Sequence, residues 1–195
     1  MTLRRRTRRD EGFTLIEVMM SLAILIVGAV GILSVQSAAT RGNVAGRRMS
    51  VGTQRSSVWI ERLRRDALFW RTSGDPVVVA PQSQYLNRVG AGWFVPVSAD
   101  PLETAAATWT GEDLSGAQIP QYCTHVRLSW AIPNHSIRAD VRTYWSKDRG
   151  REHALITDGC ALGTEGEVSL DLASAAPDLS AVYGSTLLRW IPEAP

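Results

Sequence analysis

Residues 12–36 read GFTLIEVMMSLAILIVGAVGILSVQ, and this stretch decides the architecture of the 195-residue chain. From Phe13 to Val35 its only charge is Glu17. At about 1.5 Å rise per residue, one helix of this length spans the roughly 30 Å of a bilayer's hydrocarbon core. Arg4, Arg5, Arg6, Arg8 and Arg9 come before it, and the positive-inside rule keeps such a cluster cytoplasmic. The residues after the helix are therefore expected on the far side of the membrane. Glu17 needs its own reason. A carboxylate costs about 2.5 to 3.5 kcal/mol at the centre of a membrane helix, and less toward its end.

Residues 1–12 are polar and basic and have no apolar core. A secretory signal is cut after its hydrophobic region, whereas here the apolar run lies beyond the candidate cut. Cleavage between Gly12 and Phe13 would keep the helix and leave the short leader in the cytoplasm. Gly12 brings no side chain to obstruct a protease.

The basic leader, then Gly12-Phe13-Thr14-Leu15-Ile16-Glu17, then the apolar helix resembles the type III signal of type IV pilins and pseudopilins. The continuation through Gly28, Gly31, Gln36 and Ala38 looks most like minor pilins of the PilV type. The resemblance implies cutting by an inner-membrane prepilin peptidase and N-methylation of Phe13. It also implies that Glu17 pairs, during assembly, with the new amino terminus at Phe13 of a neighbouring subunit. Major pilins often carry a proline where this chain has Ser34. No proline occurs between Met1 and Asp75, so no proline kink is expected.

Residues 36–70 continue as an amphipathic half of the same helix. Met49, Thr53, Ser56, Ile60, Leu63, Ala67 and Trp70 recur at alternating spacings of four and three, which traces one helical face. Ser73-Gly74-Asp75-Pro76 is the expected stop. Residues 75–195 form the expected β-rich head. Its first part, 75–121, is a long loop punctuated by Pro76, Pro81, Pro96, Pro101 and Pro120. Short strands are expected at Val77-Val78-Val79 and at Trp93-Phe94-Val95, and a loop of this length is usually functional. Trp93 and Trp109 are its two aromatics of interest, read as the rim of the core ahead of exposed partner-binding groups.

The clearest strand signal lies at 122–145. Val126, Leu128 and Trp130 alternate with Arg127 and Ser129; Ile137, Ala139, Val141, Thr143 and Trp145 alternate with Arg138, Asp140, Arg142 and Tyr144. Period-two alternation puts the first member of each set on the core face and the second outward. Pro133-Asn134-His135-Ser136 makes the turn of an antiparallel hairpin. Further strands are expected over His153–Thr157 and at Val168, Leu170 and Leu172, with a closing segment at 187–191. The expected class is α+β: a long N-terminal helix packed on a C-terminal antiparallel sheet, as in the type IV pilin fold.

The chain holds 20 arginines and one lysine, and its formal net charge is +2. The leader carries five arginines against Asp10 and Glu11, a net of +3, so its removal takes +2 to −1. Arg41, Arg47, Arg48, Arg55, Arg62, Arg64 and Arg65 face only Glu61 over residues 41–65. We read this sector as a solvated helix face near anionic lipid and do not take it for a nucleic-acid footprint. The two cysteines, Cys123 and Cys160, are expected to pair in an exported domain. A metal site using Cys123 and His125 with His135 or His153 lacks the paired spacings of zinc sites. No serine-hydrolase elbow, phosphate loop or HExxH motif is present in the sequence. Glu112-Asp113 is a carboxylate pair in the loop. No catalytic residues and no cofactor are expected.

The function expected is that of a minor pilin of a type IV pilus, held in the inner membrane with a cytoplasmic N-terminus and later displayed on the pilus or cell surface. Its expected partners are prepilin peptidase, other pilin subunits, the inner-membrane assembly platform and membrane lipid. The alternatives are a minor pseudopilin of a type II secretion system and a plain membrane-anchored binding domain.

Overall fold

Fifty-two consecutive residues, Leu15–Asp66, form one helix, α1. The computed structural model describes residues 12, 14–71, 83–115, 118–147, 156, 160–173 and 179–189. The leader, Phe13, the stop at 73–76 and the strand expected at 77–79 lie outside the described residues. α1 is shared by two units, one ending at Gly46 and a head that begins at Arg47. The helix passes Gly42, Asn43 and Gly46 unbroken, in keeping with the lack of proline. Ser21, Ser34 and Thr40 donate their hydroxyls to the Glu17, Gly31 and Gln36 carbonyls, so they add no unpaired polar group to the apolar half. Past Asp66 the chain tightens into a 3-10 turn, Ala67–Arg71.

In the head, β1 (Trp93–Phe94), β2 (Ala106–Ala107), β3 (Tyr122–Ile132), β4 (Ser136–Ser146) and β5 (Leu179–Arg189) form one antiparallel sheet. Its order is β1-β3-β4-β5, with β2 also on β3. β3 and β4 make the expected hairpin, in register from Cys123↔Tyr144 to Trp130↔Ile137. Asn134 turns it with φ of 61°, a left-handed conformation that asparagine tolerates better than most residues.

The head half of α1 packs on one face of this sheet. Trp59, Leu63 and Trp70 meet Val126, Leu128, Ile137, Ala139, Val141 and Leu188 in the main core, closed by Tyr85, Leu86, Phe94 and Val95. The buried line on α1 is Gly52, Arg55, Ser56, Trp59, Arg62, Leu63 and Asp66. It shares Ser56 and Leu63 with the expected stripe, whose last residue, Trp70, is buried in the 3-10 turn that follows. Met49 is 58% exposed, and the line runs through Trp59 instead. The approach is close because Gly52 leaves room for the Trp145 ring, and Gly184 for Ser56 and Ile60.

The opposite face is also covered, which corrects the outward placement of three residues. Asp140, Arg142 and Tyr144 are buried, whereas Arg127 and Arg138 stay exposed. Asp140 is enclosed by the Arg127 and Arg138 guanidiniums, each 2.9 Å from its carboxylate; over Arg142 and Tyr144 the cover is a helix, α2 (Glu165–Ala173), formed where Val168, Leu170 and Leu172 were expected to be a strand. Val168 and Leu172 are four apart and pack together against Cys123, Tyr144, Ile156 and Leu179, while Leu170 is 71% exposed. Helical spacing thus sorts the apolar residues that alternation would have put on one strand face. Glu165 and Glu167 lie in the first turn of α2, where its dipole favours them. Of the strand expected over His153–Thr157 only Ile156 is described, and it is helical, accepting the Cys160 N–H at 3.0 Å. Of the closing segment expected at 187–191, residues 187–189 are the end of a longer strand and the rest lies outside the described residues; β5 pairs with β4 along all eleven of its residues, 179–189. Cys123 and Cys160 are joined by a disulfide with their Cα atoms 5.7 Å apart. It ties the start of β3 to the segment leading into α2.

Candidate functional site

The site read from the sequence sits at the start of α1. Gly12 is exposed and non-helical, and nothing lies within 4 Å of where a side chain would begin. The helix starts within three residues: Glu17 and Val18 donate their N–H groups to the Thr14 carbonyl at 3.1 and 3.3 Å. Gly12 therefore precedes the helix at an open position. Phe13 itself lies outside the described residues. Glu17 is in the first helical turn, where an acidic group complements the positive end of the helix dipole. Every leucine, isoleucine, valine and methionine from Leu15 to Val35 is exposed. Among the described residues, α1 is the one helix long and apolar enough to cross a membrane.

A second set of polar groups lies inside the head, and sequence reading missed it. Arg55 and Arg62, expected on a solvated basic face, are 2% and 8% exposed. Both bind Asp113. Arg55 donates to it at 2.5 Å, and Arg62 donates to both its oxygens at 2.6 and 3.1 Å. Arg55 also donates to the Thr104 carbonyl, and Thr104 N–H donates to Asp113. Burial alone would raise the Asp113 carboxyl. The guanidinium bonds and the Thr104 N–H outweigh it and hold the group well below the usual carboxylate range. Two buried cations and one carboxylate thus pin residues 104–113 to α1.

Asp66 is a second anchor. Its carboxylate accepts the Ser83 hydroxyl at 2.8 Å and the N–H groups of Gln84, Tyr85 and Leu86 at 2.8, 3.0 and 3.3 Å. It fixes the 3-10 turn Leu86–Arg88 against the end of α1. Burial pushes the nearby Tyr85 phenol up.

A third cluster lies beneath α2. His125 is fully buried. Arg142 donates to its Nδ1 from Nε at 3.2 Å and from a terminal nitrogen at 2.8 Å. A guanidinium has only donors, so Nδ1 is an acceptor and the proton of the neutral ring sits on Nε2, facing Tyr144 Oη at 3.3 Å. Arg142 also donates to Ser169 Oγ at 2.8 Å and to the Glu165 carbonyl at 2.9 Å, both on α2. Burial lowers the Arg142 guanidinium and raises the Tyr144 phenol.

Trp93 is half-buried against Arg127 and Arg142, whose guanidinium carbons lie 4.9 and 4.4 Å from its ring centre. Trp109 is 60% exposed beneath Arg47. His135 is at the hairpin turn, far along β3 from His125, and His153 lies outside the described residues. Among the described residues, no group of three or more His, Cys, Asp and Glu could hold a metal ion. The Arg55–Arg62–Asp113 cluster, Asp66 and Arg142 hold loops and helices in place.

These features fit a membrane-anchored protein: an apolar helix whose large side chains are exposed, carrying one carboxylate behind an accessible glycine, and a sheet-built head. A family model for the prokaryotic N-terminal methylation motif matches residues 7–33. The chain thus bears the prepilin-type signal of type IV pilin-like proteins, a group that includes pseudopilins. No curated protein and no solved structure matches the chain. That motif is the mark of a structural subunit cut by prepilin peptidase and assembled with other pilins.

Proposed function

We propose that the chain is a minor pilin of a type IV pilus, resembling the PilV type, and that it acts through helix packing in pilus assembly, initiation or surface display. In this reading residues 1–12 are a leader removed by prepilin peptidase. Residues 13–35 are the transmembrane and assembly helix, 36–70 its amphipathic half, and 75–195 the periplasmic or extracellular head. The observation that carries it is the methylation motif overlapping the start of a helix whose large apolar side chains from Leu15 to Val35 are all exposed.

The physical sequence of events rests on that helix. Lipid solvates it before assembly, in the inner membrane. Packing against the helices of other subunits then buries the same surface in a filament. Glu17 would be costly inside such a bundle unless it met a cation. The methylated amino group of a neighbour's Phe13 supplies one and sets the axial register. The assembly platform and other pilins are the partners this requires.

Mass spectrometry of the native N-terminus tests the reading. The expected result is a chain that begins at N-methylated Phe13. A chain still carrying residues before Phe13 would defeat it and favour a plain anchored domain. The motif is shared with pseudopilins of type II secretion systems. Deletion separates the two: loss of twitching and surface pili supports the pilus, and loss of protein secretion supports the pseudopilus.

A further inference from the structure

His125 is a fully buried imidazole to which the proposed function assigns no role. Among the described residues, Arg142 and Tyr144 on β4 meet the ring directly, and around the Arg142 guanidinium lie Glu165 and Ser169 on α2 and Trp93 on β1. Arg127 lies on its own strand, and Tyr183 on β5 sits edge-on to Trp93 at 6.5 Å. The Glu165 carboxylate accepts the Val95 N–H at 3.1 Å. The guanidinium that donates to the imidazole is also a group that ties α2 to the sheet.

We propose that His125 is a proton-sensitive latch for α2. The neutral ring accepts both Arg142 donors and so orients the guanidinium toward Ser169 and the Glu165 carbonyl. A proton on Nδ1 would remove that acceptor and set a second cation against the guanidinium, 2.8 Å away. The closed head excludes that proton, and a head with α2 lifted admits it near the ordinary histidine value of about 6.5. Below that pH the opening constant of α2 rises about tenfold per pH unit. Glu165 acts later. Burial would raise it, but its hydrogen bonds with backbone N–H groups hold it below the usual range. Its contribution therefore persists until the pH falls below the ordinary carboxyl value of about 4.3. The window from about pH 6.5 to 5 belongs to the histidine.

Hydrogen–deuterium exchange on the full-length chain in detergent micelles tests this, after correction for the intrinsic exchange rate. The expected result is a rise in opening of about fivefold over residues 164–173 between about pH 6.5 and 5.5, with little change over 122–132. His125→Gln should flatten that response. A wild-type response with no step overturns the latch. So does an undiminished step in His125→Gln, which would assign it to His135 or His153. Should the variant not fold, nitrogen NMR of the wild-type ring decides: neutral in the closed head at about pH 5.5 supports the latch, and charged at about pH 7 overturns it.

Discussion

At Gly52 a methyl group has no room. Its carbon would lie 2.7 Å from Cζ3 of Trp145, a buried ring held by Tyr122. Gly184 is similarly tight, but it faces the side-chain ends of Ser56 and Ile60. Gly46 has nothing within 4 Å. Alanine in an open helical position gains about 0.5–1 kcal/mol over glycine, whereas overpacking costs about 1–3 kcal/mol. Gly46→Ala should therefore raise the melting temperature and Gly52→Ala should lower it, measured by thermal unfolding in one detergent. The opposite order would mean that α1 does not press on Trp145. Asp113 sets a second expectation. Removing one partner of a buried ion pair costs about 3–5 kcal/mol, so Asp113→Asn should lose about that at pH 7 in chemical denaturation. The sign of its pH dependence comes from the depressed carboxyl. Its stabilisation is complete above the unfolded value of about 3.9 and is lost as the pH falls below it toward the folded value. The wild-type chain should weaken from about pH 5 to 2.5, and Asp113→Asn should weaken with a shallower slope.

At the scale of elements, the hairpin and the apolar helix were legible because one follows a period of two and the other is an unbroken apolar run. Val126, Leu128, Ile137, Ala139 and Val141 alternate and are buried. α2 was not legible. Its two core residues, Val168 and Leu172, fit a period of two as well as a spacing of four, and nine residues are too few to separate the readings. The buried face of α1 was misplaced because Gly52, Arg55, Arg62 and Asp66 count as polar or small in any hydropathy pattern. Their acceptance into the interior depends on Asp113, Thr104 and the 83–86 turn, which are distant in sequence. The anchors could have been suspected only from charge balance: the arginine-rich stretch 41–65 has a single internal acid, and Glu112-Asp113 is the carboxylate pair of the loop. The disulfide links two elements that no period connects. It closes a separation of 37 residues, worth about 3 to 4 kcal/mol in the chain-entropy model. Replacing both Cys123 and Cys160 by serine should cost about that in denaturant midpoint experiments. The increase in exchange should be largest over α2, because the bond holds the segment leading into it. Loss spread evenly over β3 and β4 would mean that the bond anchors the sheet instead.

For the whole molecule, the apolar helix and the anchored head divide two tasks. The head binds charges internally, with Arg55 and Arg62 on Asp113 and Asp66 on the 83–86 backbone. The apolar helix does the reverse, presenting its side chains and one carboxylate outward. A plain anchor would need the length and the leading arginines but no carboxylate. In lipid, Glu17 lies near the end of the span, where the cost is smaller and water is close. Inside a bundle of helices that relief disappears, and an uncompensated carboxylate would cost about several kcal/mol. A neutral glutamine of nearly the same shape removes this demand for a cation but also removes the register that the charge would impose. On the proposed reading, Glu17→Gln should therefore be inserted and cut at Gly12–Phe13 as efficiently as the wild type, and should accumulate in the membrane. It should be depleted about tenfold or more from filaments sheared from cells, as read by quantitative mass spectrometry of the two fractions. Equal abundance of Glu17→Gln and wild type in sheared filaments would show that the carboxylate does not direct assembly, and the proposed pairing with Phe13 would fall with it.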